Sequence, residues 1–222
     1  MQQLPLELVI PAPASLANFV AGPNGEALAL MQALAAGQRP VSPILLWGPP
    51  GSGKSHLIGA LPGAHALQPG SLPGPAELVG HDLLTLDDLD IWPEPALADL
   101  FLLLNRLRAL PGHVLVIGAH QPPGGMSLRE DLRSRLAAGL VLALRAPDDD
   151  DLARMLRQML AARGLPRNEG VVQRLLTRHR RDIRYLGALI EALDRYALAR
   201  SRALTVPLLR EFEQSGGLGE VD

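Results

Sequence analysis

Hydrophobic and polar positions divide the chain into two parts with different periodicity. Up to residue 146, short apolar runs alternate with stretches whose apolar positions recur at helical spacing. This alternation of strand and helix is typical of a parallel α/β domain. The predicted strands are 41–47, 82–88, 113–119 and 140–144, and the predicted helices are 24–36, a short one from Lys54 to the break at Pro62, 94–109 and 128–138.

From Pro147 onward the apolar spacing is helical throughout, with short Gly or Pro breaks between segments. This pattern predicts a small all-helical domain at 147–213, after an α/β domain at 15–146. The remaining segments have no strong periodicity: residues 1–14 are expected to be extended, 62–75 to be weakly ordered and 214–222 to be disordered. The predicted helices of the second domain are 148–163, 168–178, 182–202 and 206–212.

Composition narrows the class of protein. Hydrophobic residues make up 47% of the 222 positions but aromatic residues only 3%, so the core is expected to consist mostly of Leu, Ala and Val. The absence of cysteine excludes disulfides and thiolate metal sites and fits a cytoplasmic location. No apolar run approaches the ~18 residues of a membrane span. A net charge of −2 argues against a protein whose main task is to grip nucleic acid.

The most specific chemical signal surrounds the only lysine among the 21 cationic side chains. Lys54 lies in a segment that fits the phosphate-loop pattern G-x-x-x-x-G-K-[ST] at each fixed position and follows a predicted strand. Backbone N–H groups of such a loop cradle phosphates, the lysine neutralises their charge, and the hydroxyl of Ser55 is expected to hold Mg²⁺. A chance glycine turn is the alternative. The predicted nucleotide-binding residues here are Gly48, Pro49, Pro50, Gly51, Ser52, Gly53, Lys54, Ser55 and His56.

Two carboxylates end the next predicted strand, about 30 residues after the loop. Asp87 is predicted to reach the Mg²⁺ shell, and Asp88 to orient an attacking water. A solvated strand end, where acidic residues are common, is the alternative.

Arginines are concentrated in the second half of the chain, where Arg135 and Arg184 lie on predicted helices. Composition alone favours solvated helix faces for both. The cluster at 178–181 suits either contact with DNA phosphates or stabilisation of its own helix end. At the other end of the chain, the alternating leucines of Gln3–Leu8 suit insertion into an apolar groove, or packing as an edge strand or arm.

The order of these parts resembles the AAA+ ATPases of the DnaA clade, and most closely the Hda family of DnaA-related regulatory inactivators. Residues 19–24 resemble the family segment near the adenine, which implies that Phe19 and Asn24 bind nucleotide. Residues 132–140 resemble the box that carries the arginine finger, which would be Arg135. Residues 182–186 resemble sensor II, so Arg184 is expected to face the phosphates from a helical lid. Residues 204–207 match the family's chain end.

Two features favour the Hda family over the initiator itself. The segment QLPLEL resembles the family's clamp-binding peptide, which implies clamp contacts by Gln3, Leu4, Leu6 and Leu8. The initiator's helix-turn-helix domain, which would follow the lid, is not in this sequence. One departure is the end of the third strand, where His120 occupies the place of the usual sensor I.

The resemblance implies a negative regulator of replication initiation. It would bind ADP or ATP with Mg²⁺, dock on the sliding clamp (the DNA polymerase III beta subunit) at the nucleoid, and promote hydrolysis of ATP on DnaA through Arg135. Its own ATPase would be weak, it would not recognise DNA sequence directly, and self-association is compatible with the fold. The alternatives are a self-sufficient AAA+ ATPase or loader acting on helicase or DNA, which would use Asp88 for its own turnover, and a nucleotide-gated adaptor.

Overall fold

The computed structural model describes residues 14–40, 42–74, 77–181 and 183–216, except for the side chain of Arg184. Its contacts divide the chain between Ala146 and Pro147 into an α/β unit and a helical unit. The two units are described separately below.

The α/β unit is built on one five-stranded parallel sheet with strand order β2-β3-β4-β1-β5. The parallel α/β architecture predicted from the alternating pattern is confirmed. Because the strands are parallel, the carboxyl ends of β3, β4 and β1 lie side by side at one edge of the sheet. The strands are β1 Ile44–Trp47, β2 His65–Ala66, β3 Leu83–Leu86, β4 Val114–Ala119 and β5 Leu140–Ala143.

The edge strand β2 was not predicted. It lies within 62–75, which the sequence pattern marks as weakly ordered, and this expectation is wrong for His65 and Ala66, which pair with Leu84 and Thr85 of β3. A two-residue strand is too short to produce a detectable alternation of apolar and polar positions.

Alternate residues of the central strands supply two separate hydrophobic clusters, one on each face of the sheet. Leu45, Leu115 and Ile117 pack in one cluster with residues of α3 and α4, whereas Ile44 and Leu46 pack in the other with residues of α1 and α2. This is the period-two pattern of a sheet buried on both faces, filled mostly by leucine. The helices are α1 Gly25–Ala35, α2 Lys54–Gly59, α3 Glu94–Arg108 and α4 Glu130–Ala137, with short 3-10 turns at Gly22–Asn24, Leu89–Ile91 and Pro123–Gly125.

In its described residues, the helical unit has four amphipathic helices around a core made mostly of Leu, Val and Ile. Polar residues cap three of these helices at their N-termini. Asp148 forms a capping box with Asp151, the Asn168 side chain accepts from two backbone N–H groups, and the Thr205 side chain accepts from one. No helix in the described part of the chain is both long and apolar enough to cross a membrane. The helices are α5 Asp149–Ala162, α6 Glu169–Arg178, α7 Ile183–Ala199 and α8 Val206–Gln214.

A charged cluster joins α6 to α8. The guanidinium of Arg174 and Nε2 of His179 both donate to the Glu213 carboxylate, and all three side chains are largely shielded from solvent. Burial raises the pKa of Glu213, but the hydrogen bonds from Arg174 and His179 outweigh it, so the net pKa lies below the ordinary glutamate value. The ionised carboxylate therefore stabilises the packing of α8.

Replacing Glu213 by Gln should lower the free energy of unfolding at neutral pH by about 1–2 kcal/mol, since it removes a charged acceptor shared by two donors. A lowered folded-state pKa contributes stability that is complete above the ordinary glutamate pKa of about 4.3 and is lost as the pH falls through the folded value. The difference between the two proteins should therefore shrink as the pH drops below about 4. Urea denaturation across a pH series measures it.

Glu211→Gln is the matched control, because Glu211 lies on the same helix but pairs with Arg202 at the exposed surface. It should change the unfolding free energy by less than about 0.5 kcal/mol. Equal losses in the two variants would contradict the stabilising role of the Glu213 cluster.

Candidate nucleotide-binding site

The glycine-rich loop lies between the carboxyl end of β1 and the start of α2, the strand–loop–helix context that its motif requires. Gly51 and Gly53 have φ values of +78° and +97°, which side-chain-bearing residues rarely adopt. Gly48 is constrained differently, because a Cβ there would lie 2.3 Å from the carbonyl oxygen of Leu144. Pro49, Pro50 and Gly51 are exposed at the loop surface.

Lys54 is only 4% exposed, and its side chain turns back into the loop. Its Nζ donates to the carbonyl oxygens of Gly48 at 2.7 Å and Pro49 at 3.1 Å. Ser55, the next residue, is half-buried on the first turn of α2. A compact ammonium can make these contacts within the loop and can also turn to an entering phosphate. A planar guanidinium would fit this space less well.

Asp87 follows β3 and directs its carboxylate across the neighbouring strand β4. A Cβ on Gly118 of β4 would lie 2.1 Å from Asp87 Oδ1 and 2.8 Å from Ile58 Cδ1 of α2. The backbone N–H of Asp88 donates to the same Oδ1 at 3.0 Å, and the Trp92 indole donates to the Asp87 carbonyl at 3.2 Å. The Asp87 carboxylate thus lies over Gly118, on the face of β4 that Ile58 of α2 also covers, in space that a glycine at position 118 leaves open.

Asp88 has a left-handed backbone with φ of 50° and begins the 3-10 turn Leu89–Ile91. This conformation is uncommon outside glycine but tolerated by aspartate. Its side chain is half-buried beside Asp87. The two carboxylates therefore follow one another directly after β3.

His120 follows β4 directly, and its ring is held by Asp90. The His120 backbone N–H donates to Asp90 Oδ2 at 2.6 Å, and Nδ1 lies 3.1 Å from the same oxygen. Because a carboxylate only accepts, Nδ1 carries the proton and Nε2 is the nitrogen available for other contacts. Asp90 was not among the predicted site residues, since its partner lies 30 positions away in the sequence.

Phe19 and His56 pack together on the loop. A Cβ on Gly53 would lie 2.7 Å from the Phe19 ring, and the Phe19 and His56 ring centroids are 5.4 Å apart. His56 Nε2 lies 2.9 Å from the Ser15 carbonyl oxygen. Asn24, also predicted to bind nucleotide, is buried with its amide bonded to the backbone of Ser52 and Arg145. The predicted segment therefore borders the loop.

Arg135 lies half-buried on α4, where the neighbouring charges pair with one another. Arg133 contacts Glu130 and Arg129 contacts Asp131, whereas Arg135 has no hydrogen bond or ion pair with any residue that the structure describes. Its guanidinium therefore has no described internal partner.

The basic cluster of the helical unit is partly engaged within that unit. Arg181 pairs with Asp149 at 3.0 Å, and the Arg180 guanidinium lies 4.4 Å from the centre of the Tyr185 ring. The remaining predicted side chains lie outside the described residues: that of Arg184, whose backbone belongs to α7, and those of Gln3, Leu4, Leu6 and Leu8.

Comparison with known proteins shows what the chain is similar to. Residues 148–212 match the family model of the Hda lid domain. An uncharacterized protein of Haemophilus influenzae is 29% identical over 232 residues, a match that covers 95% of this chain and 97% of the relative.

Solved structures of DnaA share the fold. Domain III of the Thermotoga maritima replication initiation protein DnaA has a TM-score of 0.74 and 22% identity, over 93% of this chain and 98% of that one. AMPPCP-bound DnaA from Aquifex aeolicus has a TM-score of 0.68 and 20% identity, over 82% of this chain and 65% of that one. The described fold and the lid match agree: residues 148–212 resemble the Hda lid domain, and the chain shares its fold with domain III of DnaA.

Proposed function

We propose that this protein is a nucleotide-bound regulator of replication initiation, which promotes hydrolysis of ATP held by DnaA. The observation that carries the proposal is the Hda lid match, because it concerns the regulatory branch of the clade rather than the AAA+ fold in general. Arg135, which no described residue of its own chain neutralises, supports a role toward another molecule.

The ligand of the loop is an adenine nucleotide, ADP or ATP. The solved DnaA of Aquifex aeolicus is bound to AMPPCP, an adenine nucleotide analogue, and has the same fold. The loop fits the phosphates of such a ligand, since it combines left-handed glycines with a lysine ammonium already turned inward. Lys54 would face the phosphate oxygens, with Phe19 and His56 bordering the loop.

Mg²⁺ is the metal that this donor set fits. The hydroxyl of Ser55 and the carboxylate of Asp87 are oxygen donors, which Mg²⁺ prefers, and Asp87 lies over Gly118 on the face of β4 that α2 covers. A bound Mg²⁺ would neutralise phosphate charge. Gly118 keeps the Asp87 carboxylate in position by leaving space for it.

Arg135 acts in trans on the nucleotide of DnaA. A guanidinium placed against the transferred phosphoryl group stabilises the charge of the transition state, and such residues contribute on the order of 10³–10⁵ in rate. The peptide Gln3–Leu8 docks on the DNA-loaded sliding clamp and brings the protein to DnaA at the nucleoid. This protein's own nucleotide then has a structural role, and its own turnover is weak.

A self-sufficient ATPase is the second candidate, and one observation favours it. Asp88 and the Asp90–His120 pair lie at the carboxyl ends of adjacent strands, where they can orient a water beside nucleotide in the same chain. In that case hydrolysis would need neither DnaA nor the clamp.

Arg135→Ala should abolish stimulated hydrolysis of DnaA-bound ATP while leaving nucleotide affinity unchanged, because the guanidinium would act on the partner's phosphates. The measurement is release of phosphate from DnaA–ATP with DNA-loaded clamp, in single-turnover reactions with and without this protein. A decrease of at least about 100-fold in the stimulated rate is expected.

Arg133→Ala is the matched control, since Arg133 lies on the same helix but is neutralised by Glu130. It should retain most of the stimulation. Full stimulation by Arg135→Ala would overturn the assignment of the finger. Turnover by this protein alone, lost in Asp88→Ala, would instead establish the self-sufficient ATPase.

Gly118→Ala should weaken Mg²⁺-dependent nucleotide binding, because the added methyl group would displace the Asp87 carboxylate. We expect the improvement in ADP affinity on adding Mg²⁺ to fall at least several-fold, measured by calorimetric titration with Mg²⁺ and with EDTA. Binding in EDTA should change little.

Gly59→Ala serves as the control, since a methyl group there would only make ordinary contact with Ala14 at 3.9 Å. An unaltered Mg²⁺ effect in Gly118→Ala would show that Asp87 is not the residue that recruits the metal.

A further inference from the structure

Asn24 lies buried at a junction between two segments that are far apart in the sequence. Its Nδ2 donates to the carbonyl oxygen of Ser52 at 3.3 Å and to that of Arg145 at 2.9 Å, and its Oδ1 accepts from the backbone N–H of Arg145 at 2.9 Å. One primary amide supplies two donors and an acceptor, so its polar atoms are matched to backbone groups of the protein. Because Asn24 is only 7% exposed, it is better placed to hold the loop than to contact a ligand.

On the loop side, Asn24 fixes the orientation of one peptide group. The carbonyl of Ser52 is held by Asn24, and in a trans peptide the N–H of the next residue, Gly53, points the opposite way. The Ser52 N–H is bonded within the loop to Pro49, and the buried Ser52 hydroxyl has no hydrogen bond among the described residues. A loop that binds phosphates by its N–H groups depends on such orientations, because each N–H must face the anion.

On the other side, Asn24 holds the chain just before the helical unit begins. Arg145 is bound through both its N–H and its carbonyl, and its side chain is exposed. The preceding residue, Leu144, donates to the Trp47 carbonyl at 2.7 Å and has its own carbonyl against Gly48. Both ends of the loop-bearing segment are therefore tied to 144–145, two residues before Pro147.

We infer that Asn24 is a positioning residue that couples the phosphate loop to the segment leading into the lid. Ordering of the loop by a nucleotide strengthens the backbone hydrogen bonds at Arg145, and by reciprocity the loss of those bonds lowers nucleotide affinity. This inference rests on the proposed binding of nucleotide by the loop. Asn24 therefore affects the affinity for nucleotide although it does not contact the nucleotide.

Asn24→Asp tests the inference with almost no change of shape. The carboxylate can still accept from the Arg145 N–H, but it would face two carbonyl oxygens to which the amide donated. We expect ADP affinity, measured by calorimetric titration, to fall on the order of tenfold. Asn105→Asp on α3, whose side chain has no hydrogen bond with a described residue, controls for the same change of charge.

A second measurement separates coupling from simple damage to the fold. In the wild-type protein, ADP should slow hydrogen exchange at the Arg145 amide several-fold, as followed by mass spectrometry of peptides that span 140–147. In Asn24→Asp, saturating ADP should produce little additional protection there. A merely structural Asn24 would lower the melting temperature but would not make the Arg145 amide respond to ADP.

The outcomes are distinguishable. If the wild-type protein does not bind ADP, the proposed function fails before the coupling is tested in the variant. If it binds ADP but exchange at Arg145 is the same with and without nucleotide, the coupling is wrong even when Asn24→Asp does not fold. Wild-type affinity in a folded Asn24→Asp protein would also overturn it.

Discussion

Strand β4 lies between β1 and β3, and each of its six residues is buried. Parallel pairing on both sides brings the carboxyl ends of the three strands to one edge of the sheet. The first glycine of the loop donates its N–H to the carbonyl of Ala119, the last residue of β4, at 3.2 Å. Asp87 crosses over the same strand from the other side, and His120 follows it. The candidate ligand groups of the α/β unit thus depend on the packing of one strand.

Local patterns predicted the main strands and helices, apart from the two-residue β2, but not the contacts between them. Short apolar runs predict the strands, and helical spacing beyond Pro147 predicts the helices, because both patterns are contained in short stretches of sequence. The loop motif likewise needs only adjacent positions. Gly48 leaves space for the carbonyl of Leu144, and Gly118 leaves space for the carboxylate of Asp87. These close contacts come from neighbouring strands, so the sequence around each glycine does not indicate which group will occupy the space. Asn24 and Arg145 are 121 positions apart, so no sequence window contains both.

The resemblance to the DnaA clade predicted more than local patterns could, because it indicated which segments that are distant in the sequence lie near one another. It directed attention to residues 19–24, of which Phe19 lies against Gly53 and Asn24 is bonded to the carbonyl of Ser52, while nucleotide contact by these residues stays a prediction. It could not supply Asp90, since the histidine that Asp90 holds departs from the usual sensor. The clamp peptide and the Arg184 side chain lie outside the described residues, so their roles rest on the sequence alone.

Both tryptophans of the chain lie beside the candidate site. Trp47 immediately precedes Gly48, and the Trp92 indole is bonded to the carbonyl of Asp87, the proposed magnesium ligand. Indole emission responds to the polarity and hydrogen bonding around the ring. With no other tryptophan to contribute a background, the intrinsic fluorescence of the unlabelled protein is a direct optical reporter of events in the phosphate loop and at the end of β3.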